Sequence, residues 1–382
     1  MSGRLAKRLV FGSIAALVVA QSALAEAQNE PSKKRLSKYE QETIAEVISN
    51  RNLTIDPSPQ GKLVEAIDIV PLEVFEKRDP VPGFVNVFHA TSKEYVIRRQ
   101  VLQEPGKPYD QGLVDDTARN LRNLAQISLV LCVSVVGSAP GRIRLVVITK
   151  DVWSLRLGWD FVAGQFGVQE LLIEPTESNL GGTQQVILAR FHYLPESYSL
   201  GASFFSPRVE GRWLTLGGEA NVVINRQSGR PEGSYGSVGT SRPLFSRSTE
   251  WAWGVSMSWR NQVLRRYVNA QLATYDASST PQKDGIPYQY SVRQLIETAA
   301  ITRSWGDRQK NDLSFGAEMN LRGYRDTDDL SAYDPGAVQQ FFRSVLPVSD
   351  TRVGPFVQLR HYENRFADVH DVDTLSLEEN YR

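Results

Sequence analysis

Regular alternation of apolar and polar residues dominates the chain after Asp151 and limits what it can fold into. A side-chain period of two is the signature of a β-strand with two different faces. Four of the five clear runs are nine to eleven residues long, which is the length of a tilted strand that crosses a bilayer. The clear runs are 153–161, 198–204, 214–224, 251–259 and 313–321. The sequence therefore predicts an all-β region from residue 153 onward.

The composition of the two faces separates a membrane sheet from a soluble one. The polar face is rich in Gly, Ser, Asn and Thr, and Trp and Tyr lie near the ends of the runs. This arrangement is typical of a transmembrane β-barrel with a hydrated interior and aromatic girdles. We predict twelve antiparallel strands within 153–382, of which 236–245 and 293–305 have the weakest pattern. A soluble β-sandwich or propeller is the alternative, although no repeat of blade length is present.

The first 25 residues have the pattern of a secretory signal peptide. Arg4, Lys7 and Arg8 precede an apolar stretch at 9–20, and Ala-Leu-Ala follows at 23–25. The stretch is too short for a membrane-spanning helix, so we expect 1–25 to be removed on export. Residues 26–60 form a polar leader, predicted to be flexible apart from one short helix within 38–50.

Residues 61–152 have a mixed pattern that predicts a small α+β domain. A first strand is followed by two helices and then by two strands joined by a turn-rich segment, giving the order β-α-α-β-β. Thr91 and Glu94 have the spacing of a capping box, which predicts the start of the first helix. The domain is long enough to have a core of its own.

Composition and residue spacing argue against several functional classes. The 43 basic and 43 acidic residues balance, so binding of nucleic acid through its phosphates has little support. Cys132 is the only cysteine, which excludes an internal disulfide, and the four histidines lack the spacing of metal ligands. We also find no nucleophile elbow and no acid/base constellation. The sequence thus predicts a protein that is not an enzyme, with no cofactor and no metal site.

Two short motifs carry a resemblance to a known family. Residues 149–155 (TKDVWSL) link the α+β region to the first long strand, and residues 177–183 (ESNLGGT) have the acidic-x-Asn-Leu-x-Gly pattern of a strand turn. With the element order, they make the chain similar to the bacterial surface antigen superfamily, which includes BamA and TamA relatives and the transporters of two-partner secretion. The resemblance implies that 61–152 is a periplasmic POTRA domain and that 153–382 belongs to an outer-membrane β-barrel.

The chain departs from the family pattern at its C-terminal end. The family barrel usually has more strands than the twelve predicted here, and it tends to finish on an alternating strand with a terminal aromatic residue. This chain finishes on Glu-Glu-Asn-Tyr-Arg at 378–382. We therefore expect 153–382 to be the N-terminal part of a barrel whose closing strands are missing by C-terminal truncation.

The candidate site residues fall into three groups. A family-like turn is formed by Asn179, Leu180, Gly181 and Gly182. The strand at 129–136 is the candidate for pairing with client polypeptides, through Leu129, Leu131, Val133 and Val135, although it is also a candidate for the central strand of its sheet. The residues expected to face the lumen, if the register is correct, are Arg156, Asp160, Glu219 and Asn221.

Three functions remain open at this point. The first is an assembly, insertion or translocation factor whose POTRA domain binds extended clients by strand addition. Its partners would be the outer-membrane bilayer, unfolded polypeptides and accessory proteins, without nucleic acid. The second is a passive pore or structural barrel, which would not need the α+β domain. The third, an outer-membrane enzyme, lacks the residues for the chemistry.

Overall fold

The structure is a computed structural model that describes residues 36–74, 90–327 and 329–364. The predicted signal peptide at 1–25 and the start of the leader lie outside the described residues. The chain divides into two units, Met1–Leu53 and Thr54–Arg382.

The described part of the first unit contains one helix, α1 (Lys38–Asn50). Ser37 and Glu40 form a capping box at its start, in which each side chain accepts a hydrogen bond from the other residue's backbone N–H. The short helix that the sequence predicted within 38–50 is therefore present.

The second unit begins with a three-stranded sheet and two helices, which we call the α/β subdomain. Its elements are β1 (Leu63–Leu72), α2 (Glu94–Arg98), α3 (Gln111–Arg122), β2 (Ile127–Val136) and β3 (Arg142–Asp151). The sheet order is β1-β3-β2, with β1 parallel and β2 antiparallel to β3. Strand β3 is therefore central and β2 lies at an edge.

The core of the α/β subdomain lies between the helices and one face of the sheet. Its apolar side chains are nearly inaccessible to solvent, as expected for a closely packed interior. The cluster includes Ile97 of α2, Leu121 of α3 and Leu145 of β3. The opposite face of β3 is also buried at Val146 and Ile148, which explains the continuous apolar run of this strand.

The predicted capping box at Thr91 is wrong. Helix α2 begins at Glu94, its N-cap is Lys93, and no side chain caps it. The reason is that the preceding backbone is engaged elsewhere, because the Ser92 N–H donates to Asp151 Oδ2 (2.6 Å) and the Lys93 N–H donates to the carbonyl of Gly182 (2.9 Å).

The rest of the second unit is dominated by one large antiparallel sheet in which sequential strands are neighbours. Ten strands are present within the described residues, rather than the twelve predicted. They are β4 (Leu155–Gly164), β5 (Gly167–Glu177), β6 (Val186–Tyr193), β7 (Ser197–Ser206), β8 (Thr215–Asn225), β9 (Pro231–Arg242), β10 (Trp251–Arg265), β15 (Gln289–Trp305), β16 (Gln309–Arg325) and β17 (Asp350–Glu363). The two segments with the weakest pattern are strands β9 and β15.

The large sheet is not closed into a barrel in the part of the chain that the structure describes. Strand β4 pairs only with β5, and β17 pairs only with β16. Both outermost strands are exposed along most of their length, and β17 contains Pro355. The prediction of a barrel is thus confirmed only as far as a large antiparallel sheet.

Two loops at the far end of the sheet form a small cluster of their own. Between β10 and β15 lie the two-residue strands β11 (Tyr267–Val268), β12 (Gln271–Leu272), β13 (Thr274–Tyr275) and β14 (Ile286–Pro287). Helix α4 (Pro335–Ser344), which the sequence analysis missed, packs Phe341 beside Ile286.

None of the helices in residues 36–74, 90–327 and 329–364 combines the length and the apolar character of a membrane span.

Candidate functional site

The two motifs that carried the family resemblance meet at the junction between the α/β subdomain and the large sheet. Asp151 ends β3, and Asn179 follows β5 in the first turn of the large sheet on this side. The Asn179 amide Nδ2 lies 3.2 Å from Asp151 Oδ2, and the two residues are 0% and 1% exposed. The two motifs lie in separate segments of the sequence, and the fold brings these two residues into one buried polar contact.

Further hydrogen bonds fix Asn179 in place. Its Nδ2 also lies 2.9 Å from the carbonyl of Ala90 and 3.1 Å from Ser92 Oγ, while its Oδ1 accepts from the Gln184 N–H at 2.9 Å. Asp151 accepts from the Ser92 N–H as well. Since a buried polar group that loses its partners is costly, this network holds the turn at 178–185 against the segment that leads into α2.

Glycine is required at one position of the turn because of close approach. Gly182 has a φ of 76°, in the left-handed region, and a Cβ there would lie 2.4 Å from the carbonyl of Thr91. Gly181 also has a positive φ, of 57°, whereas Leu180 is exposed. The turn predicted at 179–182 is therefore shaped by the contact that it makes with the α/β subdomain.

A second contact joins helix α3 to the loop between β9 and β10. The buried carboxylate of Asp116 accepts from the Arg247 backbone N–H (2.9 Å) and from Arg247 Nε (3.2 Å). The Asn120 amide donates to the carbonyl of Phe245 at 2.8 Å. Asp116 also pairs with Arg119 on its own helix. This charged contact stabilises α3 against the loop at 243–250.

The loop between β7 and β8 makes a third contact. The Arg208 guanidinium donates to the carbonyl of Arg99 and lies 3.3 Å from the centre of the Trp213 ring, which stacks on Phe245. Three successive turns on one side of the large sheet thus contact the α/β subdomain. We call these three contacts the junction.

Strand β2, the candidate for client pairing, lies at the edge of its sheet. The side chains of Leu129, Leu131, Val133 and Val135 are buried, on the face opposite the helices. Their backbone groups pair with β3, because the hairpin closes through a hydrogen bond from Gly137 to Arg142 and the pattern alternates from there. The groups that face the outer edge belong to the alternate residues Val130, Cys132, Ser134 and Val136.

Part of this outer edge is occupied by the chain itself. Ile55 forms an antiparallel bridge with Val135. The Val136 N–H donates to the carbonyl of Thr54 (2.8 Å), and the Asp56 N–H donates to the carbonyl of Ser134 (2.9 Å). We call residues 54–56 the edge segment; they lie within the predicted flexible leader at 26–60.

Asp56 anchors the edge segment. Its carboxylate lies 2.6 and 2.9 Å from Lys62 Nζ and accepts from the Ser58 N–H at 3.0 Å. The hydrogen bond from Lys62, helped by the Ser58 N–H, holds the pKa of the Asp56 carboxyl below its usual value. The anchor therefore weakens only in acid, as Asp56 becomes protonated.

The two faces of the large sheet differ in exposure and polarity. One face carries exposed large apolar side chains on the outermost strands and on the strands between them. We call it the apolar face. Trp159 on β4 is 71% exposed, and further examples are Leu157, Leu200, Val222, Trp253, Val255, Phe315, Val357 and Leu359. An exception on this face is Glu297, which lies between Met257 and Met319. Exposed apolar area of this extent needs a non-aqueous neighbour.

The opposite face is polar and better sheltered. On it, Arg190 lies 2.6 Å from a carboxylate oxygen of Glu174 and 2.9 Å from one of Glu219. Asn221 is 2% exposed, and His192 contacts Glu170 at 2.8 Å. Charged pairs and buried amides face a common side, which we call the polar face.

The four residues predicted to face a lumen all lie on the polar face. Cross-strand pairs link Arg156 to Glu219 through β5, β6 and β7, and alternation places Asp160 and Asn221 on the same side. Arg156 and Asp160 are exposed, since β4 is an edge strand. Because the sheet is not closed, the lumen itself stays a prediction.

The sequence analysis missed several residues of the junction. Ser92 and Arg247 gave no signal in the sequence, because single polar residues in helices and loops are usually solvated. Asp116 was detectable only as a carboxylate among the apolar positions of α3. Among the described residues, no group of three or more His, Cys, Asp and Glu side chains is arranged to hold a metal ion.

Comparisons with known proteins find similarity among solved structures. No family model and no curated protein matches the chain. Among solved structures, BamA from Haemophilus ducreyi lacking POTRA domains 1–3 is 11% identical, with a TM-score of 0.38 over 78% of this chain and 66% of the other. CdiB from Acinetobacter baumannii is 12% identical, with a TM-score of 0.36 over 80% and 65%. The chain spans just under two thirds of the length of these two structures.

Proposed function

We propose that the protein lies in a bacterial outer membrane through its large sheet and takes part in the assembly, insertion or translocation of polypeptides. The α/β subdomain would lie on the periplasmic side as a POTRA-type module and bind extended clients by strand addition at β2. The role is non-enzymatic. The observation that carries the proposal is an edge strand on a subdomain that the junction fixes against a sheet with an exposed apolar face.

The apolar face supports the membrane part of the proposal. Leu157, Val255 and Phe315 are each at least half exposed on different strands. Contact of such side chains with lipid acyl chains costs no free energy, whereas their contact with water is unfavourable. The polar face, with its paired charges around Arg190, suits water or a hydrated polypeptide.

The position of β2 supports the client part. Strand addition derives affinity from main-chain hydrogen bonds and therefore places few demands on the client's sequence. The edge segment uses only the Val136 N–H and the Ser134 carbonyl for backbone pairing. The buried contacts of Asp151 and Asp116 with the turns of the large sheet would keep a captured client close to the membrane.

Depletion of the protein in its native bacterium tests the proposal. We expect lower levels of other folded outer-membrane barrels or of secreted proteins, restored by the wild-type gene. Unchanged barrel levels together with unchanged secretion would contradict a role in assembly or translocation. Steady conductance of the purified protein in planar bilayers, combined with that negative result, would favour the passive pore.

A further inference from the structure

The edge segment occupies the strand-addition site that the proposed function requires. Its two backbone hydrogen bonds and the bridge between Ile55 and Val135 have the geometry of an added antiparallel strand. The Ser134 hydroxyl also donates to the Asp56 carbonyl at 3.2 Å. A client that pairs with the same part of β2 needs the Val136 N–H and the Ser134 carbonyl for itself.

The edge segment cannot extend its pairing. Residues 54 and 56 face β2, so Ser58 would be the next to pair, but its N–H donates to the Asp56 carboxylate (3.0 Å) and pairing ends at Asp56. On the other side, Asn52 has a φ of 50°, in the left-handed region, and turns the chain away from an extended path. The segment is therefore held to three residues on a strand of ten.

The edge segment is also weakly held by apolar contacts. Ile55 is 48% exposed, so its side chain gains only part of the free energy of full burial. The main side-chain anchor is the ion pair between Asp56 and Lys62. A longer extended segment can also bond the Ser134 N–H and the Val136 carbonyl, which the backbone of the edge segment does not use, whereas the Val130 carbonyl already accepts from Arg122 (3.1 Å).

We infer that residues 54–56 are a resident strand that competes with clients for the β2 edge and is displaced when a client binds. The inference rests on the proposed function, because it concerns the same edge. We call the Asp56–Lys62 ion pair the clasp, because in this inference it determines how readily residues 54–56 leave the edge of β2.

A disulfide across the bridge tests the inference in the full-length protein in detergent. Ile55→Cys and Val135→Cys, in a Cys132→Ala background, place two cysteines at directly opposed positions without hydrogen bonds between them, where Cα atoms approach to about 4.5 Å. The probe is a fluorescein-labelled peptide with the sequence of β8, measured by fluorescence anisotropy. We expect at least about a tenfold weaker binding in the oxidised protein, from the loss of main-chain hydrogen bonds, and recovery on reduction.

The reduced form of the same variant is the control for folding. Equal binding by the oxidised and reduced forms would overturn the inference while leaving client binding elsewhere intact. Absence of peptide binding by the wild-type and the reduced proteins would instead count against the proposed function, and the inference would fall with it.

Hydrogen exchange gives a second readout that does not depend on cysteines. Peptide binding should speed exchange of the Asp56 amide, which loses the Ser134 carbonyl, while the Val136 amide stays protected by the peptide. An Asp56 amide that stays protected at saturating peptide would overturn displacement.

The clasp is tested by Asp56→Asn. We expect about two- to fivefold tighter peptide binding, since Lys62 is partly exposed and such an ion pair contributes modestly. The matched control is Glu94→Gln, which removes the ion pair with Arg98 on α2 and leaves β2 untouched. Equal effects of the two substitutions, or no effect of Asp56→Asn, would contradict the role of the clasp.

Discussion

The α/β subdomain and the large sheet distribute their apolar side chains in opposite ways. In the α/β subdomain, Ile97, Leu121 and Leu145 are buried inside, as in any water-soluble domain. In the large sheet, Trp159 and Leu359 point outward and are exposed, while the charges around Arg190 lie on the sheltered side. The difference teaches that a strand pattern indicates the surroundings of a sheet only when the composition of both faces is considered.

Core truncation in the α/β subdomain should have the largest effect. Leu145→Ala removes a fully buried side chain, and we expect a loss of about 2–5 kcal/mol in its free energy of unfolding. The free energy of unfolding is measured in urea, with the hydrogen exchange of β3 amides as the readout. Leu157→Ala on the apolar face is the matched control and should leave the β3 amides unchanged. Equal losses would break the comparison between the two regions.

A charge placed on the apolar face should disfavour membrane insertion. Val255→Arg puts a cation where the side chain is 52% exposed, and we expect a cost of up to about 2–4 kcal/mol in a bilayer. The control is Ser256→Arg, one residue along, which points to the polar face. Folding into lipid vesicles, measured by protection from protease, should fail for the first and proceed for the second. Identical insertion would contradict a lipid-facing role.

Alkaline pH should weaken the α/β subdomain through Tyr109. Burial raises the pKa of its hydroxyl from 10.0 to about 12. Stability from the neutral phenol is fully present below pH 10 and is lost as pH rises toward 12, because the unfolded chain ionises first. The loss is about 2–3 kcal/mol at 1.36 kcal/mol per unit.

Unfolding at pH 9 and at pH 12 measures this loss. Tyr109→Phe should remove it, whereas Tyr95→Phe, at an exposed position, should keep it. Retention of the full alkaline loss in Tyr109→Phe would show that another group is responsible.

Substitution in the junction should have the smallest effect on stability, and the effect should be confined to residues near the change. Asn179→Ala removes the amide that contacts Asp151 and leaves that buried carboxylate with one fewer donor, a cost of about 1–3 kcal/mol. Faster exchange of the Ser92 amide, which donates to the same carboxylate, measures the loss. Thr183→Ala, which breaks only a bond within the turn, is the control. Unchanged exchange of the Ser92 amide would show that Asp151 holds this amide without help from Asn179.

The period of two predicted most of the large sheet because alternation is a local property of the sequence. Among the described residues, the large sheet has ten strands rather than twelve. The loops that carry α4 and the short strands β11–β14 contain apolar residues that form their own cluster. The pattern also could not decide closure, since the partners of β4 and β17 depend on contacts far apart in sequence.

The junction could be predicted only in part. Asn179 and Asp151 were noticed because each lies in a motif, but their contact joins residues that local patterns do not connect. The same is true of Asp116 with Arg247. The edge segment was hidden because Thr54-Ile55-Asp56 is too short for any period and stands among prolines. Backbone pairing of this kind leaves almost no trace in side-chain composition.

Pro355 affects the edge of β17 that has no partner strand within residues 36–74, 90–327 and 329–364. The Asn364 N–H donates to the Arg308 carbonyl, so alternate residues of β17 pair with β16, and the backbone of Pro355 faces away from the sheet. At that position the edge lacks a donor. A strand that adds to this edge therefore finds no N–H at Pro355. It loses one hydrogen bond unless the residue opposite Pro355 needs no donor. Pro355 thus favours some registers of strand addition over others and opposes indiscriminate aggregation at this edge.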